Sequence, residues 1–190
     1  LERRATEALQ ELGPTFIKLG QMLSTRSALL PPALVQELQR LQDDVPPMPF
    51  DEVASMVRSE LGSDVDVLFT DFDRQPLATA SIAQVHTARL RGTNTEVVVK
   101  VQRPDLEASI AADLEIMGML ARALEKNFPE TRLFSPTGMV SEFEKAILRE
   151  IDFRNERHNL ERFRANFTAQ PDIVFPRPCR RSEEHTSELQ

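Results

Sequence analysis

The sequence predicts an α+β fold, in which an all-helical segment precedes a small antiparallel sheet and further helices. Apolar residues recur at helical spacing through residues 2–61, and prolines and glycines separate the periodic stretches. Residues 65–102 instead show β-branched runs and alternating polarity, and helical spacing returns from Pro104. Three sequential strands after a helical segment are typical of an α+β protein with a small antiparallel sheet.

The composition limits the classes of function. The chain has 190 residues, of which 41% are hydrophobic, enough for one good core or two small ones. A net charge of −7 argues against nucleic-acid binding, which needs a basic surface. The single cysteine, Cys179, excludes a disulfide framework and a Cys-rich zinc site. The three histidines have no metal-ligand spacing, and we expect His86 to face water or neighbouring strand residues.

Both ends of the chain suggest a piece of a longer protein. The chain starts inside a charged helical pattern without an initiator methionine or a signal peptide, and it has no apolar run long enough to span a membrane. We therefore expect an internal start. Residues 181–190 resemble the translation of a sequencing-adapter oligonucleotide, and we exclude them from the fold as an artefact.

Four helices are predicted in the first 62 residues, which we interpret as an all-helical extension. Pro14 suits the first position of the second helix, and Asp51 is a candidate N-cap of the fourth, which Gly62 ends. Residues 43–49, with three prolines, form a connector that cannot continue a helix. The predicted helices cover residues 2–12, 14–27, 32–42 and 50–61.

The second domain is predicted to cover residues 63–180. A turn signal at residues 91–94 joins two of its strands into a hairpin. Ser135 and Pro136 open its last helix, as cap and first helical position. The predicted strands cover residues 65–72, 81–90, 96–102 and 173–175, and the predicted helices cover 105–127 and 135–167.

Lys100 is the first candidate for chemistry. It follows the run Val97-Val98-Val99 on the third strand, and lysine is almost never fully buried unless it is paired. Its ammonium could bridge phosphate oxygens if a carboxylate orients it. The alternative is a strand-end lysine whose ammonium reaches water.

The alanine-rich loop, residues 76–81, is the second candidate. Ala78, Thr79 and Ala80 are small enough to let backbone N–H groups approach a phosphate, and Ser81 follows them. Alanine lacks the access of glycine to positive φ, so this loop would be stiff. No GxxxxGK or GxGxxG motif occurs. The alternative is an ordinary tight turn between strands.

An acidic cluster and a polar helical stripe complete the candidates. Asp152 and Glu156, at i and i+4, are predicted to share a helix face, with Glu150 on another side. Either Asp152 or Glu156 points inward at Lys100 and Lys18, or all three carboxylates form a surface ion lattice with Arg149, Arg154 and Arg157. Lys18, Gln21 and Thr25 form the stripe, beside a mid-helix Gly20 that costs about 1 kcal/mol relative to Ala. The stripe is either a solvated face at a helix crossing or part of a site.

Together these residues resemble the motifs of the UbiB (AarF-type) atypical kinase family over residues 1–180. The order of the four motifs along the chain is more specific than any one of them. They are Lys18-Leu19-Gly20-Gln21 as the KxGQ motif, residues 76–86 as the alanine-rich loop with its strand, Val99-Lys100 as the strand lysine, and Glu150-Ile151-Asp152 as the ExD motif.

The resemblance implies a protein-kinase-like N-lobe (residues 63–180) behind a family-specific helical extension. Lys100 would bind the α- and β-phosphates of ATP and pair with Glu156 as the helix glutamate. The nucleotide would also contact Val85 and Val98 and the alanine-rich loop. Lys18 and Gln21 would lie over the nucleotide and contact Glu150 and Asp152, and Gly20 would pack closely on the lobe. Residues 105–127 would be a helical insert.

The resemblance also implies that the catalytic half is absent. A kinase needs a catalytic aspartate, a metal-binding asparagine and an Asp-Phe-Gly aspartate, all from the C-lobe, and this sequence shows none of them. We therefore expect Mg²⁺ ligands in the missing lobe and no activity from this chain alone. The parent would be an ATP-binding kinase or ATPase supporting ubiquinone biosynthesis, cytoplasmic and attached to the bacterial inner membrane by C-terminal helices.

Two other functions stay open. One is a pseudokinase-like scaffold or prenyl-lipid-binding module, which would contact lipid intermediates or ubiquinone-biosynthesis proteins. The other is a plain helical and sheet domain whose motif matches are accidental.

Overall fold

A computed structural model describes residues 2–25, 30–41, 46–170 and 172–179. The chain divides into two compact units, residues 1–145 and 146–190, and each is described by itself. The α+β architecture is confirmed: helices dominate and one small sheet is antiparallel. The elements are α1 Glu2–Leu12, α2 Pro14–Ser24, α3 Pro32–Leu38, α4 Phe50–Leu61, α5 Val65–Leu68, β1 Phe69–Thr70, β2 Ala78–Thr79, β3 Ala83–Leu90, β4 Glu96–Gln102, α6 Leu106–Asn127, a 3₁₀ helix Pro129–Phe134, α7 Pro136–Ile151 and α8 Phe153–Asn166.

The first three helices pack on one another around Ile17, Leu38 and Leu41, which are all buried. Helix α1 has the predicted bounds, and α2 begins at Pro14 as predicted. The predicted end of α2, residues 26 and 27, lies outside the described residues. Helix α3 ends at Leu38, earlier than predicted, because the chain tightens there into turns that carry Leu41 into the same core.

Helix α4 matches the predicted range, but its N-terminus differs from the prediction. Asp51 lies in the first turn and not at the cap position, which Pro49 occupies without a side-chain hydrogen bond. A carboxylate in the first turn still interacts favourably with the helix dipole. Gly62 ends the helix in the left-handed region with φ 72°, and its N–H donates to the carbonyl oxygen of Arg58.

The strand predicted over residues 65–72 is wrong in its first half. Residues 65–68 form one helical turn, and only Phe69 and Thr70 pair with β3. A strand would direct the side chains of residues 65, 67 and 69 to one face. The helical turn instead buries Val65 and leaves Val67 60% exposed, and Phe69, the first residue of β1, is buried in the same core.

The sheet is organised around β3. Strands β1 and β2 pair with β3 near its two ends, β4 pairs with residues 83–89 of β3, and every pairing is antiparallel. The predicted hairpin between β3 and β4 is present, with positive φ at Gly92 and Asn94 in its turn. Strand β4 has the predicted range, and β3 begins two residues later than predicted.

One face of the sheet is buried against the helical extension. Val53 and Val57 of α4 form a core with Ala88 of β3 and Val101 of β4, together with Met48 from the connector. Burying this apolar surface contributes about 25 cal/mol per Å² removed from water. The connection between the extension and the sheet is therefore a packed core.

Helix α6 follows the sheet over nearly the predicted insert. It begins after Asp105, which has φ 53°, and it buries Ile110, Met117 and Ala121. Glu125 near its end accepts two hydrogen bonds from Thr137, one from the backbone N–H (2.9 Å) and one from the hydroxyl (2.8 Å). The Glu125 carboxylate therefore ties the end of α6 to the start of α7.

The predicted helix over residues 135–167 is two helices, because the helix breaks at Asp152. Asp152 has extended backbone, and its carboxylate accepts a hydrogen bond from the N–H of Arg154, so it caps α8. Residues 173–175, predicted as a strand, have no strand pairing among the described residues. Phe175 instead stacks on Phe163 of α8 at 5.5 Å between ring centroids.

None of the helices in the described residues is long and apolar enough to cross a membrane.

Candidate nucleotide site

Three of the predicted site residues form one row across the sheet. Val85 of β3 lies opposite Lys100 of β4 on one side and opposite Ala78 of β2 on the other. Residues directly opposite in an antiparallel pair direct their side chains to the same face. In the next row Val98 lies opposite Thr87 and is 60% exposed. The face with Lys100 is thus opposite to the face that packs on α4.

This face combines apolar side chains with one ammonium group. Ala78, Val98 and Lys100 are exposed and Val85 is half-buried, so small aliphatic groups surround the base of the lysine. An aliphatic wall suits a flat apolar ring, and an ammonium suits phosphate oxygens. The arrangement can hold a nucleotide with its base on the valines and its phosphates toward Lys100.

The alanine-rich loop turns back beside this face. The N–H of Leu77 donates to the carbonyl oxygen of Val85 (2.8 Å), and the N–H of Ala80 donates to that of Ala83 (2.8 Å). None of residues 76–81 has a positive φ, so alanine meets the backbone demands of the loop without glycine. The stiffness of the loop stays a prediction.

Ser81 ends the loop with an unsatisfied group. Its side chain is fully buried, and its hydroxyl has no hydrogen-bond partner within the part of the chain that the structure describes. A buried hydroxyl without a partner costs about 1–3 kcal/mol. The hydroxyl is therefore available to a bound group or to a small movement of the loop.

A buried polar network lies under the opposite face, where the sequence predicted no function. Gln84 is 1% exposed and His86 is fully buried, and their side-chain nitrogens are 2.9 Å apart. Because the carbonyl oxygen of Asp73 can only accept, Nδ1 of His86 carries the proton of their 2.8 Å hydrogen bond. Nε2 of His86 then accepts from Gln84. His86 therefore faces neighbours, as one of the two predicted options, and not water.

Gln84 also binds the connector. Its Oε1 accepts from the N–H of Met48 (2.7 Å), and its Nε2 donates to the Met48 carbonyl oxygen (3.4 Å). Both backbone groups of a buried residue are thus satisfied by one amide side chain. The network joins the connector to β3.

Arg103, directly after β4, is a second link to the connector. Its Nε donates to the carbonyl oxygen of Ala80 (3.1 Å), and its Nη2 donates to that of Pro46 (2.8 Å). Partial burial lowers the pKa of the Arg103 guanidinium, and the carboxylate of Glu52 opposes this shift. Arginine stays charged at neutral pH, so both bonds are charge-assisted.

The KxGQ residues lie on α2 within the helical extension. A Cβ on Gly20 would lie 3.0 Å from Leu9 Cδ1 and 3.3 Å from Leu38 Cδ2, and it would also contact Leu41. The predicted close packing is present, but the neighbours are helices of the extension and not the lobe. Gln21 donates to the carbonyl oxygen of Leu41 (3.2 Å), and Lys18 is half-buried.

The ExD residues and Glu156 belong to the second unit. Glu150 is in the last turn of α7, and Glu156 is in the first turn of α8. Asp152 lies between the helices, so it does not share a helix face with Glu156, contrary to the prediction. Arg154 donates to both oxygens of Asp152 (2.8 and 3.1 Å), and these bonds lower the pKa of the Asp152 carboxyl. The pairings of Lys100 with Glu156 and of the KxGQ with the ExD residues stay predictions.

The hydrogen bonds of Gln84 and Arg103 to the connector were not predicted from the sequence. Gln84, His86 and Ala88 occupy alternate positions of β3, and two polar residues in register with an apolar one indicate a buried network. Arg103 lies between an apolar strand and Pro104, and no nearby residue in the sequence indicates which groups its guanidinium contacts. Within the described ranges, no group of three or more His, Cys, Asp or Glu side chains is placed to hold a metal ion.

Comparisons with known proteins agree with the fold and with the predicted family. The family described as "ABC1 atypical kinase-like domain" matches residues 40–185. The chain is 45% identical over 176 residues to the "Probable protein kinase UbiB" of Aliivibrio fischeri (strain MJ11), covering 93% of this chain and 32% of that protein. It is 48% identical over 169 residues to the protein of the same name from Vibrio vulnificus (strain CMCP6), covering 89% and 31%.

A solved structure has a similar fold. "The complex structure of Rv3197-erythromycin from Mycobacterium tuberculosis" matches with a TM-score of 0.58 and 29% identity, over 90% of this chain and 43% of that chain. The chain spans about a third of the length of the curated relatives it matches. Because the family match covers residues 40–185, well over half of the chain, the chain belongs to the ABC1 atypical kinase-like domain family.

Proposed function

We propose that this chain is the N-terminal part of an ATP-binding atypical kinase or ATPase that supports ubiquinone biosynthesis. Family membership and the name "Probable protein kinase UbiB" of two relatives support this proposal. The observation that carries it is the row of Ala78, Val85 and Lys100 on the sheet face away from the α4 core. Such a row supplies an aliphatic wall and one phosphate-binding cation.

In this proposal each predicted residue has a role in binding. Lys100 binds the α- and β-phosphates and pairs with Glu156, which orients its ammonium. Val85 and Val98 contact the base, and the backbone of Ala78, Thr79 and Ala80 approaches the phosphates. The Ser81 hydroxyl, buried and without a partner in the described residues, supports a polar ligand near the loop.

The helical extension would act as a lid in the same proposal. Lys18 and Gln21 lie over the nucleotide and contact Glu150 and Asp152, which closes the place where a protein substrate would bind. Mg²⁺ neutralises the phosphates when bound, with ligands from a C-lobe beyond this chain. The parent is cytoplasmic and is attached to the inner membrane by helices beyond this chain.

The test uses the full-length protein that contains this chain. We expect Lys100→Ala to lower ATP turnover at least tenfold and to weaken binding of a fluorescent ATP analogue. Lys126→Ala, which removes an exposed lysine of α6, is the matched control and should leave both unchanged. Unchanged turnover in Lys100→Ala would contradict the role of Lys100.

A second candidate is a pseudokinase-like scaffold or prenyl-lipid-binding module in the same pathway. Helix α6 favours it, because Ile116, Leu120 and Leu124 are exposed at i, i+4 and i+8. A depression of about 370 Å³ beside Leu120 and Leu124 could hold part of a prenyl chain. Binding of a prenyl lipid by the full-length protein, without any ATP turnover, would favour this candidate over the first.

A further inference from the structure

The described part of the connector, residues 46–49, is held to the lobe by two side chains. Arg103 Nη2 donates to the carbonyl oxygen of Pro46, and Gln84 forms two hydrogen bonds with the backbone of Met48. The Met48 side chain is buried in the core between α4 and the sheet. The connector, which leads from α3 to α4, is therefore held to the lobe at Pro46 and Met48.

The same two residues also hold the alanine-rich loop. Arg103 Nε donates to the carbonyl oxygen of Ala80, and the backbone N–H of Arg103 donates to that of Ile82 (3.1 Å). Gln84 pairs with Thr79 in the β2–β3 register. The contacts that anchor the connector and the contacts that anchor the loop thus come from the same residues.

The chemistry of arginine makes the link rigid. The guanidinium is planar, and its N–H donors have fixed directions. If the Pro46 carbonyl moves, the guanidinium must turn or lose one of its two bonds, and turning displaces its bond to Ala80. The peptide that follows Ala80 carries Ser81, the one buried side chain of the described residues whose oxygen has no partner. Little movement is needed to change what this hydroxyl contacts.

We propose that Arg103 is a positioning residue that couples the connector to the alanine-rich loop, so that displacement of the helical extension changes the affinity of the loop for nucleotide phosphates. This inference rests on the proposed function for its ligand. The coupling itself depends only on the two carbonyl contacts of Arg103.

The first experiment measures the coupling without nucleotide, in the full-length protein. Hydrogen exchange is followed at the amides of Met48 and Ala80 in Arg103→Gln. We expect both amides to exchange at least tenfold faster than in the wild type. Arg103→Lys should behave alike, because a point charge cannot replace a two-pronged donor. Faster exchange at only one amide, or at neither, would overturn the coupling.

The matched control is Arg91→Gln. Arg91 also donates from Nη2 to two backbone carbonyls, those of Asp66 (2.6 Å) and Phe69 (3.4 Å), but at the end of the sheet away from the loop. It should lose comparable thermal stability without changing exchange at Met48 or Ala80. Faster exchange at both amides in this control would show a merely structural effect and overturn the proposal.

The second experiment measures the consequence for nucleotide binding. Arg103→Gln should weaken binding of a fluorescent ATP analogue about tenfold, within the usual range of coupling between sites. Ala80→Gly loosens the loop. In a double-mutant cycle, Arg103→Gln and Ala80→Gly together should weaken binding of the analogue by less than the sum of their separate effects on the binding free energy. Strict additivity would overturn the proposed route through the loop. If the wild type binds no nucleotide, the proposed function fails, and the exchange experiment still decides the coupling.

Discussion

Val85 lies directly opposite Lys100 in the β3–β4 pair, and both side chains leave the sheet on the face away from α4. Because Val85 is only half-buried, a larger side chain there can project from the sheet without entering the core. The residue is therefore a place to fill the proposed nucleotide site while the lysine stays intact.

Replacing Val85 with phenylalanine tests the site by steric exclusion. We expect Val85→Phe to weaken binding of an ATP analogue at least tenfold in the full-length protein, with the midpoint of thermal unfolding within a few degrees of the wild type. Val67→Phe, at an exposed position of α5, is the control and should bind as the wild type does. Equal affinities of the two variants for the ATP analogue would show that the nucleotide base does not bind beside Val85.

Gly20 is predicted to be indispensable for packing of the helical extension. A Cβ there would meet Leu9 and Leu38 at 3.0 and 3.3 Å and would also contact Leu41. Gly20→Ala gains helix propensity of about 1 kcal/mol, but overpacking costs typically about 1–3 kcal/mol. We expect a net loss of up to about 2 kcal/mol in the free energy of unfolding, measured by urea denaturation.

Gly118 of α6 provides the matched substitution. The nearest atom to its added Cβ is Nη1 of Arg122 at 3.2 Å, the flexible end of a long side chain. Gly118→Ala should therefore raise the free energy of unfolding by about 0.5–1 kcal/mol. If both variants change stability in the same direction, the packing argument for Gly20 is wrong.

Gln84 is predicted to be the most costly polar residue of the sheet to replace. Gln84→Leu keeps the approximate volume but leaves the Met48 N–H and Nε2 of His86 without partners in a buried region. Each unsatisfied group costs about 1–3 kcal/mol, so we expect the two to cost about 2–6 kcal/mol in chemical denaturation. Gln75→Leu, at an exposed position, should change the value by less than about 0.5 kcal/mol.

Most elements could be predicted from the sequence because their signals are local. Helix α4 and strand β4 have the predicted ranges, with Gly62 and the turn at residues 91–94 as their boundaries. The errors arose where side chains act on the backbone or where burial outweighs propensity. Asp152 caps α8 and so divides the predicted helix in two. In α5 a helical turn buries Val65 and exposes Val67, although both residues favour strands.

In the candidate site too, local patterns predict some features, and contacts between distant residues determine the others. Alternation along β3 and β4 predicts which residues share the face of Lys100, because the register follows from one short hairpin. The links made by Gln84 and Arg103 join residues 36 and 57 positions apart, to Met48 and Pro46. No local pattern records such contacts, since only the folded chain brings these backbone carbonyls near the side chains.

The junction of α6 with α7 is predicted to weaken at acidic pH through Glu125. Two hydrogen bonds from Thr137, first from its backbone N–H and then from its hydroxyl, lower the pKa of Glu125 below its ordinary value of 4.5. Because the pKa is lower in the folded state, the ionised carboxylate stabilises the fold above about pH 4.5, and this contribution is lost as the pH falls through the folded pKa.

Glu125→Gln keeps an acceptor oxygen but removes the charge. We expect the wild type to unfold at a higher temperature than Glu125→Gln at pH 7, and the two to converge as the pH falls through the lowered pKa of Glu125. Glu144→Gln, which removes an exposed carboxylate of α7, should show no such convergence. A difference between wild type and Glu125→Gln that stays constant from pH 7 to pH 3 would show that the charge of Glu125 does not stabilise the junction.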